Sequence, residues 1–215
     1  MILEKGTRLV MIGDSITDCG REREAIPAGW GSYGDGYVNL VNACLGGLTP
    51  EKQIMVINRG NSGNRITDLK ARWEADVMEM KPDWVSIMVG INDVWRHFDG
   101  VVRQDVQVDI GTFEQIYEEL IQQTLPKVKG MIIMSPFMIE ANKDDPMCKM
   151  MNEYAQAAKK MAAKYNLIFV DVQARFNTFL EHLSSFELAA DRVHPNTKGH
   201  MIIAKAFLDS IGFEW

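Results

Sequence analysis

Five short runs of nearly unbroken apolar residues recur along the chain, at 8–12, 54–57, 84–89, 131–134 and 167–170. They are rich in Val, Ile and Met and do not alternate with polar residues. That pattern predicts parallel strands covered on both faces. Between the runs, apolar residues recur at steps of three and four. Tyr37, Leu40, Val41, Cys44 and Leu48 form one such series, and Leu69, Trp73, Val77 and Met80 a second. A third carries Phe113, Ile116, Tyr117, Leu120 and Ile121, with Thr112 and Gln115 at capping-box spacing near its start. Residues 147–165 and 196–211 read as long helices, and 174–184 as a shorter one.

This alternation predicts an α/β protein of three α/β/α layers around a five-stranded parallel sheet, with right-handed crossovers. No Pro/Gly-rich linker and no repeat interrupts it, so residues 1–215 read as a single domain. The stretch 94–111 is long for a strand-to-helix connection. Within it Val106, Val108 and Ile110 alternate with polar residues, as in a short extended segment over a site or a surface for another subunit.

The chain has 215 residues, enough to bury roughly 70–75% of its unfolded surface. With 47% apolar and 24% charged residues, it has the composition of an ordered globular protein. The formal charge is −6, and the Lys and Arg residues are scattered rather than striped. Nucleic acid and anionic membranes are therefore not expected partners, and a substrate without strong negative charge is. The three cysteines, Cys19, Cys44 and Cys148, are odd in number and lack zinc spacing. They read as structural thiols. Cys19 lies nearest the first motif described below, but no histidine adjoins it in sequence. No metal or cofactor is implied. The N-terminal residues lack the order of basic start, apolar run and small-residue cleavage site. No stretch reaches the ~18–20 apolar residues of a membrane span. A cytoplasmic protein is expected.

The candidate chemistry sits at the ends of the apolar runs. Gly13-Asp14-Ser15 follows the first, Asn58-Arg59-Gly60-Asn61 the second, and Gly90-Ile91-Asn92-Asp93 the third. Ligands of open parallel sheets bind outside the carboxyl ends of the strands, so three motifs converge on one rim. Ser15 at a strand-to-helix turn is placed as a nucleophile, with its own N–H as an oxyanion donor. Gly60, lacking a Cβ, offers a second backbone donor, and the Asn92 side chain a third. Far downstream, Asp191-Arg192-Val193-His194 supplies a carboxylate and an imidazole three residues apart. Pro195 holds His194 out at a helix entrance. Asp191 is positioned to meet Nδ1 and leave Nε2 free as a base.

Each motif alone has an ordinary reading. Gly-Asp-Ser is most often a turn, Asp-x-x-His before a helix a cap, Gly60 a turn glycine and Asn92-Asp93 a turn or cap. Their order and their place at strand ends favour the catalytic reading. His97, His182 and His200 read as surface or packing residues, Asp14 as a structural acceptor for nearby amides, and Asp18 as a helix cap.

At these residues the chain resembles the SGNH hydrolases, or GDSL esterases, over nearly its whole length. The resemblance rests on Gly13-Asp14-Ser15, Gly60, Gly90-x-Asn92-Asp93 and Asp191-x-x-His194. It implies a flavodoxin-like SGNH hydrolase fold and a Ser15-His194-Asp191 triad. The oxyanion donors it implies are Ser15, Gly60 and Asn92. The runs Asp68-Leu-Lys-Ala-Arg-Trp73, Lys81-Pro-Asp-Trp-Val-Ser-Ile-Met88, Gly90-Ile-Asn-Asp-Val-Trp-Arg96 and Ile211-Gly-Phe-Glu-Trp215 are similar to intracellular bacterial acetylxylan esterases of that family. That similarity implies a small acetylated carbohydrate substrate, with acetyl groups removed from xylo-oligosaccharides. Sugar binding calls for aromatic faces, and Trp30, Tyr33, Trp95, Phe98 and Phe137 are the candidates.

Three other readings compete. A short-chain esterase, thioesterase or lysophospholipase would use the same triad on a non-carbohydrate ester. A phosphate or metal site on a flavodoxin-like sheet would need a second acid at strand one and a Lys directly after strand five, and both are missing. A non-catalytic sugar-binding module would not need Ser15 and His194. At the C-terminus, Phe213 and Trp215 are aromatics that need burial, either on their own domain or on a neighbouring copy. A homo-oligomer is expected.

Overall fold

A computed structural model describes residues 1–100 and 107–215. Five parallel strands, β1 (Arg8–Gly13), β2 (Met55–Gly60), β3 (Trp84–Met88), β4 (Gly130–Met134) and β5 (Ile168–Val170), form one sheet in the order β2-β1-β3-β4-β5. All five lie where the apolar runs predict. Their continuity has a plain cause. Leu9, Val10, Met11 and Ile12 of β1 are all fully buried, and so are Ile132 and Ile133 of β4. A strand sandwiched between helices has no wet face to alternate with.

The helices are α1 (Ser15–Asp18), α2 (Tyr37–Leu48), α3 (Ile66–Asp76), α4 (Ile91–Trp95), α5 (Ile110–Thr124), α6 (Pro146–Lys164), α7 (Val172–Leu180) and α8 (Thr197–Ser210). On one face α2 packs on α8, and α8 on α7; on the other α3 packs on α5, and α5 on α6. With strand order reversing at β1, right-handed crossovers demand this division. The strand ends are in line, because Gly13 pairs with both Gly60 and Met88. The residues just beyond β1, β2 and β3 therefore share one rim.

Two local expectations are corrected. The cap of α5 is Asp109, not Thr112 with Gln115. Asp109 accepts from the Thr112 N–H at 3.0 Å and the Thr112 hydroxyl at 2.7 Å, while Gln115 donates to Glu119 at 3.0 Å. A carboxylate three residues earlier satisfies the same orphan amides and starts the helix sooner. Over its described part, 107–110, the alternation at Val106, Val108 and Ile110 forms no β-strand. Val106 lies outside the described residues, Val108 is buried, and Ile110 already opens α5. The Val108 carbonyl accepts from the Tyr154 hydroxyl at 2.5 Å and from His97 Nε2 at 3.1 Å, which fastens this segment to α6 and the end of α4.

Candidate active site

Ser15 is the first residue of α1, directly beyond β1. Asp14 caps that short helix, accepting from the Ile16 N–H at 3.0 Å as its type and position predict. Asp14 is buried, and burial pushes its carboxyl up to about 7 against the Ile16 hydrogen bond and the charges of His194 and Arg72. Among the described residues nothing accepts from the Ser15 N–H, so it is available at the rim.

The Ser15 hydroxyl lies 2.8 Å from His194 Nε2, and His194 Nδ1 lies 2.6 Å from Asp191 Oδ2. The other Asp191 oxygen accepts from the backbone N–H groups of Val193 at 3.0 Å and His194 at 2.9 Å. Burial acts to raise the Asp191 pKa. Hydrogen bonds from the His194 side chain and from these two amides outweigh it and hold the carboxyl below its usual range. An ionised Asp191 fixes the proton on Nδ1 and leaves Nε2 as acceptor for the serine hydroxyl. The loop folds back this way because Arg192 adopts a left-handed conformation, φ 65°. That conformation is uncommon for a residue with a Cβ and has to be held from outside. The Arg192 side chain pairs with Glu140 at 2.7 Å and Asp145 at 3.0 Å, and its carbonyl accepts from the Ile139 N–H.

Asn92 is buried at the start of α4. Its Oδ1 accepts from Arg96 at 3.2 Å, and its Nδ2 donates to the Asn64 carbonyl at 3.1 Å. The two contacts fix which end of the amide is nitrogen, and among the described residues nothing accepts from its second N–H, which is placed for a ligand.

Gly60 does not sit as expected. It is buried, a Cβ on it would lie 2.0 Å from the Asp18 nitrogen, and its N–H already donates to Asn58 Oδ1 at 2.8 Å. Its small size serves packing against α1. The exposed glycine of this loop is Gly63, at φ 81° with open space around it. Among the described residues nothing accepts from the Gly63 N–H. Its neighbours are held on both sides. Ser62 donates through its N–H and hydroxyl to Asp18 at 3.0 and 2.9 Å, and the Asn64 carbonyl holds Asn92. A signal for this was present in the sequence. Asn58 stands two residues before Gly60, the spacing at which an Asn side chain closes a turn on a backbone amide. Asp18 is accordingly no helix cap. It ends α1 and anchors the Ser62 loop and Arg23.

The aromatic candidates divide. Phe137 is fully buried, with its ring centroid 4.5 Å from that of Phe176, and belongs to the core. The Trp95 ring lies 6.0 Å from the His194 ring, beside the site. Trp30 is 98% exposed and Phe98 also faces solvent. The Tyr33 hydroxyl donates to the Ala28 carbonyl at 2.6 Å. His182 is exposed, and His200 is buried under α1. Sequence distance concealed the neighbour of Cys19: its sulfur lies 3.3 Å from His200 Nε2, across 181 positions.

A serine, a histidine and an aspartate hydrogen-bonded in sequence at the carboxyl rim of a parallel sheet define a serine hydrolase. The chain belongs to the GDSL-like lipase/acylhydrolase family, whose model matches residues 11–202, and it is a carboxylic ester hydrolase. It is 50% identical to the acetylxylan esterase of Geobacillus stearothermophilus, over 100% of this chain and 98% of that protein. The crystal structure of that esterase superposes with a TM-score of 0.97, again at 50% identity and over 100% and 98% of the two chains. Solved variants of it described as catalytic mutants carry alanine in place of a serine, an aspartate or a histidine. LAE5, an alpha/beta hydrolase from the metagenome of Lake Arreo in Spain, is 44% identical over 99% of this chain and 98% of its own, with a TM-score of 0.97.

Proposed function

We propose that the protein removes acetyl groups from xylo-oligosaccharides, with Ser15 as nucleophile, His194 as general base and Asp191 orienting it. The observation that carries this reading is the chain of short contacts, 2.8 Å from Ser15 to His194 and 2.6 Å from His194 to Asp191. The substrate class follows from the half-identical acetylxylan esterase. Ser15 Oγ attacks the acetyl carbonyl carbon as its proton passes to His194 Nε2. The tetrahedral oxyanion takes hydrogen bonds from the Ser15 N–H, the free Asn92 Nδ2–H and the Gly63 N–H, in place of Gly60. Collapse breaks the ester C–O bond, and the sugar oxygen leaves with the proton from His194. Water, deprotonated by His194, then attacks acetyl-Ser15; the acyl C–Oγ bond breaks, Ser15 Oγ takes the proton back from His194, and acetate leaves.

The test is a rate comparison across acetylated xylo-oligosaccharides and across aryl esters with acyl chains of about two to eight carbons. The acetyl ester and the xylo-oligosaccharide should give the highest kcat/KM. A preference for long acyl chains, with acetylated xylo-oligosaccharides inert, overturns the substrate assignment.

We further propose a cytoplasmic homo-oligomer. Among the described residues no helix is long and apolar enough to cross a membrane. The three cysteines are free thiols, which suits a reducing compartment. Phe213 is buried on its own chain, but Trp215 is 58% exposed, and Ile26, Trp30 and Phe186 are exposed too. Large apolar side chains in solvent support a partner surface. Light scattering reads the mass against the 24.3 kDa of one chain. A monomer overturns the oligomer, and an oligomer unchanged by Trp215→Ala removes the tail as its anchor. Cell fractionation tests the location.

A further inference from the structure

Arg72 lies on α3, in the run Asp68–Trp73 to which the proposed reaction gives no role. Its side chain is only 15% exposed. The guanidinium donates four ways: Nη2 to the Gly13 carbonyl at 3.0 Å, Nη1 to the Arg59 carbonyl at 2.8 Å and to Asp76 at 2.6 Å, and Nε to the Asn64 side-chain oxygen at 2.6 Å. Gly13 ends β1 and Arg59 stands one residue before the end of the neighbouring β2. The Gly13 carbonyl also accepts from the Asn61 N–H at 3.0 Å, so Arg72 joins a backbone bond that already ties β1 to the loop after β2. Asn64 closes the loop after β2, so one rigid planar group grips both ends of the segment that carries Gly63. The Asn64 carbonyl in turn holds Asn92 Nδ2 at 3.1 Å.

We propose that Arg72 is a positioning residue for the oxyanion hole, acting through Asn64 on Asn92 and on the Gly63 loop. The inference rests on the reading of Ser15 and Asn92 given above. The geometry argues against a brace for the fold alone. Asp76 and the two strand carbonyls would suffice for that, whereas the Nε bond to Asn64 reaches towards the site. Four acceptors in different directions need the fixed fork of a guanidinium, which the point charge of a lysine does not supply. A donor displaced by about 1 Å costs up to ~10²-fold in rate.

The experiment measures kcat, KM and pH profile on 4-nitrophenyl acetate, per active site titrated to completion with an organophosphate, and per mole of protein for Ser15→Ala. The variants are Arg72→Lys, Asn64→Ala, both together, Asn64→Asp and Ser15→Ala. Arg72→Lys and Asn64→Ala should each lower kcat by about 10- to 100-fold, with KM within about twofold and the midpoint of the pH profile unmoved. The double variant should lose no more than the worse single, because both break one link. Asn64→Asp keeps the acceptor for Nε and the backbone carbonyl, and should stay within about threefold of the parent. If Arg72→Lys does not fold, Asn64→Ala reads the same link without touching an ion pair. Losses that multiply in the double variant overturn the proposal, as does normal kcat in Asn64→Ala. An active Ser15→Ala would instead sink the triad reading.

Discussion

Ser15 and His194 stand 179 positions apart in sequence, yet the serine hydroxyl lies 2.8 Å from His194 Nε2. The first strand and the loop before the last helix supply the two halves. Ser15 is set by the turn from β1 into α1. His194 is set by a loop whose Arg192 is held left-handed by Glu140 and Asp145. The fold itself thus sets the pair at hydrogen-bonding distance, the geometry a proton transfer from the hydroxyl to Nε2 requires.

Loss of the nucleophile should be close to complete. Ser15→Ala is expected to lower kcat by about 10⁴–10⁶-fold. A serine-directed organophosphate should label Ser15 of the parent and nothing in the variant. Near-normal esterase activity in Ser15→Ala would falsify the assignment.

For Asp191 the expected loss is of orientation rather than of charge alone. An amide at this position no longer demands a proton on Nδ1, so Nε2 carries one and cannot accept from Ser15. Asp191→Asn should reduce kcat by about 10⁴-fold, and raising the pH should not restore it. A pH–rate profile recovering to the parental plateau above neutrality would show that the carboxylate acts only by its charge.

Asn92→Ala removes a donor that the structure leaves with one free N–H. It should cut kcat by ~10²–10³-fold, about 3–4 kcal/mol, with little change in KM. Steady-state kinetics decides: a raised KM at constant kcat means Asn92 binds substrate without favouring the transition state.

The layers and the Asp191–His194 pair were legible because both rest on local signals. Buried parallel strands show as continuous apolar runs, and Asp191, His194 and Pro195 lie within five residues of chain. What was hidden depends on contacts between distant segments. Whether Gly60 or Gly63 offers its amide is decided by the backbone of Thr17 and Asp18 packing on Gly60. The neighbour of Cys19 is His200, in the last helix. The partners of Arg72 come from two strand ends and a loop, and only the folded sheet assembles them. The start of α5 was missed for a different reason: Thr112 and Gln115 match capping-box spacing, and apolar periodicity does not show that Asp109, three residues earlier, takes the cap.

His200 gives a first pH prediction. Burial, aided by the charge of His194, lowers its pKa to about 4. Its Nδ1 accepts from the Tyr37 N–H at 3.1 Å, so the neutral ring carries its proton on Nε2 and donates to Cys19. Burial, then the charge of Asp35, raises the Cys19 thiol, so Cys19 is no thiolate and should alkylate slowly at neutral pH. The unfolded state takes up a proton below about 6.5 that the folded state refuses until about 4. Stability from this residue is therefore full above 6.5 and falls as pH drops to 4, by about 3 kcal/mol. Urea titrations of the parent and His200→Gln should converge by that amount over this window. A constant difference between them excludes a neutral buried His200.

Asp93 should act with the opposite sign. It is fully buried, its Oδ1 accepts from the Ile66 N–H at 3.0 Å, and its Oδ2 has no partner among the described residues. Burial pushes its carboxyl up to about 7, and the nearby charge of Asp14 adds to the rise. The folded state then keeps a proton that the unfolded chain releases near 3.8. This contribution is fully present below 3.8, is lost as pH rises through 7, and is level beyond. Its whole span is on the order of 4 kcal/mol. Asp93→Asn keeps the acceptor for Ile66 and has nothing to ionise. Its stability relative to the parent should rise steadily from pH 4 to pH 7 and then hold. Urea unfolding at pH 4, 5.5, 7 and 8.5 measures that difference. A flat difference would mean that Asp93 is already ionised in the folded protein, with Oδ2 served by a partner such as bound water.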